Sequence, residues 1–142
     1  MEKIDWDSRG LALKIVKKYD EYKEWLEEER ERILHFSPPP LDGVPGGENA
    51  DTTFNRALAL DRLEKSTRAE AVRAVDRAGE EAYKSIEGEE AREAIRRAVW
   101  KSCLNGRKYN FEYFAGTIPC ERTAFYGYKN RFLLCVKKNM GF

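Results

Sequence analysis

The sequence predicts an all-α fold, and three observations lead to that prediction. Apolar residues recur at steps of three and four along most of the chain, as they do on the buried face of an amphipathic helix. No segment alternates apolar and polar residues with the period of two that a strand requires. The stretch RAEAVRAVDRAGEEA is rich in alanine, which has the highest helix propensity. A chain of 142 residues with these features is long enough to enclose a core.

The N-terminal segment, residues 1–35, is expected to form one long amphipathic helix from Ser8 to Leu34. Lysine and glutamate occupy most of its other faces, while its apolar stripe consists of Ala12, Ile15, Tyr19, Tyr22, Leu26 and Ile33. A stripe of this length suits a helical hairpin or a short coiled coil, and it makes a homodimer through the long helices an expected partner.

Residues 36–51 read as a linker or a long loop. Their sequence, FSPPPLDGVPGGENAD, contains four prolines and a pair of neighbouring glycines. Proline lacks the backbone N–H that a helix needs, and glycine lacks conformational restraint. The pattern therefore separates the first helix from a second region, residues 52–142.

Two helices are predicted in the first part of that region. The first is capped by Asp51 or Thr52 and runs to Ile86 as one long helix. Gly88 is a plausible stop, and the second helix then runs from about Glu89 to Cys103, with acidic residues at its positive N-terminal end.

A helix-turn-helix is predicted at residues 110–139. Asn110 can cap a short helix with the sequence FEYFAG, the segment Thr117-Ile118-Pro119 interrupts it, and a longer helix follows from Cys120 to Asn139. A short helix, a turn and a longer basic helix form the layout in which the second helix enters the major groove of DNA.

Charge and helical geometry together predict a DNA-binding face on that longer helix. Residues 1–100 carry a net charge of −5 and residues 101–142 a net charge of +6, so the basic end is the part suited to a polyanion. At 100° per residue, one arc carries an expected core stripe made of Phe125, Tyr128, Phe132, Cys135 and Val136. The opposite arc carries Thr123, Tyr126, Gly127 and Asn130, with cations along its two edges. Arg122 and Lys129 form one edge, Arg131 and Lys138 form the other, and Arg107 and Lys108 lie in the turn before Tyr109. The predicted DNA-binding residues are Arg107, Lys108, Arg122, Thr123, Tyr126, Lys129, Asn130, Arg131 and Lys138.

Other classes of function have no support in the sequence. No nucleophile is paired with a base, no glycine-rich phosphate loop is present, and the single histidine, His35, has no nearby ligand set, so neither an enzyme nor a metal or cofactor site is predicted. The three widely spaced cysteines are expected to be reduced and partly buried. No apolar run is long enough to span a bilayer, so no membrane contact and a cytoplasmic location are expected.

The C-terminal third resembles the RinA/ArpU-like transcriptional regulators of phages and prophages of Gram-positive bacteria. The matching elements are the helix GEEAREAIRRAVW, the link NGRKY, the run IPCERTAFYGYKNRFL and the closing VKKNMG. The resemblance implies a helix-turn-helix similar to sigma factor region 4, activation of late phage genes and contact with the host RNA polymerase. It places Arg122, Thr123, Tyr126, Lys129, Asn130 and Arg131 on the recognition helix.

Two alternatives remain open at this point. Small terminase subunits of phages also join a helix-turn-helix to long oligomerising helices, so the chain could be a DNA-recognition subunit of a packaging machine. The second alternative is a helical protein–protein interaction module that does not bind DNA. Terminase subunits form rings of many copies, whereas a regulator is a monomer or dimer.

Overall fold

A computed structural model describes residues 3–35 and 48–142, and this part of the chain is all-helical. No strand occurs in these two ranges, which confirms the predicted fold class. Six helices follow one another in chain order: α1 (Trp6–His35), α2 (Glu48–Glu64), α3 (Thr67–Glu81), α4 (Glu89–Leu104), α5 (Phe111–Phe114) and α6 (Arg122–Met140).

Helix α1 begins two residues before its predicted start. The carboxylate of Asp5 accepts a hydrogen bond from the Ser8 backbone N–H at 3.1 Å, which satisfies one of the free donors in the first turn. The hydrogen bond to Ser8 and the ammonium of Lys137, 3.2 Å away, lower the pKa of Asp5 to about 2. The acidic cap thus fixes where the helix starts.

The single long helix predicted up to Ile86 was wrong, because the chain breaks between α2 and α3. Ser66 is the reason for the break: its hydroxyl accepts from the Ala69 N–H at 3.2 Å and donates to the Leu63 carbonyl at 2.7 Å. A serine that bonds to nearby backbone competes with the helical ladder and caps the next helix. Helix α3 then ends at Glu81, five residues before the predicted end.

The predicted linker falls mostly outside the described residues. Residues 36–47 are not among them, so the prediction for the proline-rich stretch stays a prediction. The sequence predicts residues 48–51 to be the end of that linker, but they form the first turn of α2.

The described chain divides into two compact units. The larger unit comprises residues 3–19 and 73–142, and the smaller unit comprises residues 20–72. The larger unit has a core of sixteen buried residues, which are contributed by α1, α3, α4, α5, α6 and the turn after α3: Ala12, Val16, Val75, Ala78, Ala82, Tyr83, Ile86, Ile95, Ala98, Val99, Cys103, Phe114, Phe125, Phe132, Leu133 and Val136.

The smaller unit has a cluster of three buried residues among its described positions. Leu26 of α1, Leu63 of α2 and Ala69 of α3 form it, and Trp25, Ile33 and Val72 pack against it. Neither unit contains a described helix that is long and apolar enough to cross a bilayer.

Candidate functional site

The site predicted from the sequence lies at the end of the larger unit, where α5 leads into α6. Asn110 caps α5 as predicted, since its side-chain oxygen accepts from the Tyr113 N–H at 3.1 Å. The turn after α5 is held by Thr117, whose hydroxyl donates to the Phe114 carbonyl at 2.7 Å. Helix α6 begins at Arg122 after Glu121, which provides no side-chain cap, and ends before Gly141 in the left-handed conformation, with φ of 80°.

Aromatic packing fixes the start of α6 against α5. The ring of Phe125 lies 5.9 Å from that of Phe111 and 6.0 Å from that of Phe114, measured between centroids. The hydroxyl of Tyr126 also accepts a hydrogen bond from the Phe111 backbone N–H at 3.3 Å. A four-residue helix is unstable alone, so these contacts are what hold α5 in place.

The buried face of α6 is rotated relative to the predicted stripe. Phe125, Phe132 and Val136 are buried as predicted, but Tyr128 and Cys135 are only partly buried. Lys129 and Leu133, on the other side of the stripe, are buried instead. At 100° per residue the buried arc is displaced by about 50° from the predicted one. One edge of the predicted DNA-binding face therefore points into the protein.

Lys129 is the clearest correction among the predicted DNA contacts. The residue is 7% exposed, and its ammonium donates to the Ser102 hydroxyl at 2.9 Å and to the Ser102 carbonyl at 3.4 Å. Burial lowers the pKa of Lys129, and the positive charges of Arg9 and Lys17 lower it further. The long aliphatic stem of lysine packs as an apolar side chain while its charged end reaches the C-terminal turn of α4. Lys129 is thus an interior residue rather than a surface cation.

Three other predicted residues are partly buried and already have protein partners. Tyr126 accepts from the Phe111 N–H, as described above. Arg9 of α1 donates to the side-chain oxygen of Asn130 at 2.5 Å, and Arg131 donates to the Ser85 hydroxyl at 3.1 Å. These side chains would have to exchange a partner in order to contact DNA.

A groove of about 770 Å³ runs along the first half of α6. It brings together four of the predicted residues, Thr123, Tyr126, Asn130 and Arg131, beside Gly127. A Cβ atom added at Gly127 would meet nothing within 4 Å, so the helix surface is open at this position. The groove is completed by Ser85, Cys120, Glu121, Ala124 and Tyr128.

The remaining predicted cations are exposed. Arg107 and Lys108 lie in the turn between α4 and α5, and Lys138 lies near the end of α6. Arg122, in the first turn of α6, forms an ion pair with Glu112 of α5, and its guanidinium carbon lies 5.7 Å from the centre of the Tyr126 ring. Both side chains of this pair are more than half exposed, so the pair is weak.

Lys101 and Tyr113, which the sequence pattern did not single out, belong to the same exposed surface as Lys108. The ammonium groups of Lys101 and Lys108 lie 5.8 Å and 5.3 Å from the centre of the Tyr109 ring. Tyr113 is 56% exposed and packs edge-on against Tyr109 at 5.0 Å. Lys101 belongs to α4, and only the return of the α4–α5 turn onto that helix brings it beside Lys108. Sequence spacing gave no signal of this.

Reactive and metal-binding groups are not concentrated in this site. Within residues 3–35 and 48–142, no group of three or more histidine, cysteine, aspartate or glutamate residues could hold a metal ion. The three cysteines are free, and Cys103 is buried while the other two are partly buried, which confirms the expectation for them. Burial raises the pKa of the Cys103 thiol to about 11.

Comparisons with protein-family models, with curated protein sequences and with solved structures gave no significant match.

Proposed function

We propose that the chain binds double-stranded DNA through a basic surface made of Lys101, Arg107, Lys108, Arg122 and Thr123. The observation that carries the proposal is the position of these residues. All five are exposed, and they lie on the α4–α5 turn, the end of α4 and the start of α6. The aromatic contacts among Tyr109, Tyr113, Phe114 and Phe125 join the α4–α5 turn to α5 and to the start of α6. The end of α4 contacts the same turn through Lys101, which lies over the Tyr109 ring.

Phosphate contacts would come from the cations of the α4–α5 turn. Arg107, Lys101 and Lys108 have no ion pair with any described residue, and the two lysine ammonium groups lie over the ring of Tyr109. These charges can be neutralised by DNA phosphates, with release of counterions, without breaking a protein ion pair. Arg122 would exchange Glu112 for a phosphate or a base edge at little cost.

Base reading would fall to the start of α6 and to the open surface at Gly127. Thr123 is exposed, and Gly127 leaves space for a base or a phosphate to approach the helix backbone. Asn130 is a good adenine ligand by chemistry, but it would first have to release Arg9. The interface in this proposal is narrower than the face predicted from the sequence.

The resemblance to RinA/ArpU-like regulators supports a more specific form of the proposal. In that form the chain is a transcriptional regulator, and an activator, of phage or prophage late genes, with the host RNA polymerase as a second partner. The elements that carry the resemblance, from GEEAREAIRRAVW to VKKNMG, correspond to α4, α5 and α6.

The test is a fluorescence anisotropy titration of the protein with labelled duplex DNA selected from a random pool. The variant Arg107→Gln with Lys108→Gln should bind about tenfold more weakly at low salt, and its salt slope should fall by about 2. The control is Arg62→Gln with Lys65→Gln, which removes two exposed charges near the end of α2 and should leave binding unchanged. Equal binding by the two double variants would contradict the proposed surface.

The two alternatives predict different outcomes of simple measurements. A packaging subunit should form a ring of many copies by mass measurement in solution, whereas a regulator should be a monomer or dimer. A dimer through the long helices would cover the exposed side chains of Phe54 and Leu58, which lie one turn apart on α2. No binding above background at low salt would favour the interaction module.

A further inference from the structure

A second site lies in the larger unit, in a cavity of about 250 Å³ that we call the Trp100 cavity. Residues from α1, α3, the turn after α3, α4 and α6 line it: Tyr19, Val75, Asp76, Gly79, Tyr83, Glu93, Arg96, Arg97, Trp100, Lys101 and Phe132. None of the nine DNA-binding residues predicted from the sequence is among them. A cavity of this size is large enough for a small ligand of one or two rings.

The inner walls of the Trp100 cavity are aromatic. The ring of Trp100 lies edge-on to Tyr19 at 5.3 Å and to Phe132 at 6.3 Å, and Tyr83 stacks on Phe132 at 6.2 Å. Trp100 remains partly exposed although it packs against the core. Walls of this kind favour a flat apolar ligand, because ring faces and edges pack well against one another.

Tyr83 supplies a hydroxyl without a protein partner. The residue is 1% exposed, and its hydroxyl forms no hydrogen bond with any described residue. The hydroxyl oxygen is not fully buried, so it can be reached from the cavity and can donate a hydrogen bond to a ligand acceptor. Burial raises the pKa of Tyr83 well above its ordinary value, so the hydroxyl stays protonated and remains a donor.

Arg96 supplies a positive charge at the same place. Its guanidinium lies against Gly79, where an added Cβ would be 3.1 Å from one terminal nitrogen. Arg96 forms no ion pair or hydrogen bond within the described chain, and its charge is close enough to Tyr83 to oppose the rise in the pKa of that hydroxyl.

Other charged groups on the cavity wall already have ion-pair or hydrogen-bond partners. The guanidinium of Arg97 is 3.5 Å from the Glu93 carboxylate, and the Tyr19 hydroxyl donates to Asp76 at 2.5 Å. Two cations of the lining, Arg96 and Lys101, have no ion pair with a described residue, and the ammonium of Lys101 lies over the Tyr109 ring. Arg96 is therefore the guanidinium that is available to a ligand, and Tyr83 is a neutral donor.

We propose that the Trp100 cavity binds a small aromatic carboxylate. The carboxylate would accept hydrogen bonds from Arg96 and Tyr83, and the ring would pack against Trp100 and Phe132. A guanidinium is well matched to a carboxylate because it presents two parallel N–H donors. The site shares Lys101 with the proposed DNA surface, but Arg96, Tyr83, Trp100 and Phe132 are not part of that surface, so binding of the carboxylate can be tested without DNA.

The test is isothermal titration calorimetry of the full chain with 2-naphthoate as the probe. Two control ligands separate the contributions: 2-naphthamide keeps the rings without the charge, and cyclohexanecarboxylate keeps the charge without the aromatic face. We expect a dissociation constant of about 0.1 mM for 2-naphthoate. Each control ligand should bind about tenfold more weakly, because it lacks either the charged hydrogen bonds or the aromatic contacts.

Two variants locate the bound probe. Arg96→Gln and Tyr83→Phe should each weaken 2-naphthoate by about fivefold to tenfold. Tyr83→Phe keeps the ring and removes only a hydroxyl without a partner, so it should fold as well as the parent chain in a thermal melt. Arg107→Gln, which removes an exposed guanidinium outside the cavity, should bind the probe like the parent chain.

Three results would overturn the proposal. They are the absence of binding at millimolar 2-naphthoate, equal binding of the acid and the amide, and parent-like affinity in both Arg96→Gln and Tyr83→Phe. The last result would mean that the probe binds elsewhere on the protein.

Discussion

The two units of the chain are built in different ways. The larger unit has sixteen buried core residues, among them four aromatic ones: Tyr83, Phe114, Phe125 and Phe132. The cluster described in the smaller unit has three buried residues and no buried aromatic one. Because buried apolar area is the main source of stability, the larger unit can hold side chains such as Lys129 and Arg96 in fixed places.

Contacts at the surface accompany the small cluster in the described part of the smaller unit. The guanidinium carbon of Arg68 lies 4.5 Å from the centre of the Trp25 ring and 5.6 Å from that of Tyr22. Arg30 and Glu64 form an ion pair at 2.6 Å, with both side chains nearly half exposed. Exposed contacts of this kind contribute little each and weaken as salt is added.

The largest effect on the free energy of unfolding should come from truncating a buried aromatic side chain in the core of the larger unit. Phe132→Ala should lower the free energy of unfolding by about 4 kcal/mol, since Phe132 is 2% exposed and packs against both Tyr83 and Trp100. Leu26→Ala in the smaller unit should cost about 2 kcal/mol, near the low end for such changes, because a small cluster can relax around the cavity. Urea unfolding followed by circular dichroism measures both.

Equal decreases in the free energy of unfolding for Phe132→Ala and Leu26→Ala would contradict the expected difference between the units. Variants that keep one of the three tryptophans give a second comparison, since the fluorescence of Trp25 reports on the smaller unit and that of Trp100 on the larger one. If the units differ in stability as we expect, the Trp25 transition should come at a lower urea concentration than the Trp100 transition.

The next effect concerns the buried charge of Lys129. Lys129→Met should raise the free energy of unfolding by about 1 to 2 kcal/mol, since replacing a buried ion by an apolar side chain of similar volume is often stabilising. Ser102 would lose its partner, but a serine hydroxyl in a helix can donate to a backbone carbonyl one turn earlier.

The pH dependence of the parent chain gives a second readout for Lys129. Burial lowers its pKa in the folded state, whereas the unfolded chain keeps a value near 10.5. Between the two values the unfolded state binds more protons, so the free energy of unfolding should rise with pH there. Burial raises the pKa of the three cysteine thiols from 9.0 and that of Tyr83 from 10.0, so these groups give the opposite slope above about pH 9. The contribution of Lys129 is therefore the difference in slope between the parent chain and Lys129→Met. The slope should be smaller in Lys129→Met, and an unchanged slope would mean that Lys129 is not its source.

A smaller effect is expected for the cation in the smaller unit. Arg68→Ala should lower the free energy of unfolding by about 1 kcal/mol, through loss of the contact with the Trp25 ring. Arg68→Met, which keeps most of the apolar stem, should recover the packing part of that loss but not the electrostatic part. Guanidinium chloride would screen the charge, so urea is the appropriate denaturant.

The sequence predicted the helices well but not the contacts among them. Periodicity and capping residues gave the fold class, the ends of α1 and α4 to within two residues, and the Asn110 cap of α5. It missed the break at Ser66, because a serine inside a continuous apolar pattern is compatible with both a helix interior and a cap.

The candidate site was harder to predict, since its features depend on distant partners. Asn130 is held by Arg9, which is 121 residues away in the chain, and the rotation of α6 depends on Ser102 in α4. A helical wheel assumes that apolar residues define the buried face, so it assigns every lysine to the exposed face. It cannot predict a lysine that is buried and hydrogen-bonded within the protein. Arg107, Lys108, Arg122 and Thr123 are exposed, as the sequence predicts, but their contact with DNA stays a prediction.

The smallest effects on stability are expected for two glycine-to-alanine substitutions, one of which should also change DNA binding. Gly127→Ala and Gly10→Ala each place a methyl group in open space on a helix, since an added Cβ would meet nothing within 4 Å at either position. Each should raise the free energy of unfolding by up to about 1 kcal/mol, because alanine restricts the unfolded chain and favours helix. Gly127 lies in the groove along α6, so the added methyl should weaken binding to selected duplex DNA about threefold to tenfold, whereas Gly10→Ala on α1 should leave the affinity unchanged. A stabilised Gly127→Ala with parent-like affinity would show that DNA does not approach α6 at this position, and the proposed contact surface would then shrink to the α4–α5 turn and Arg122.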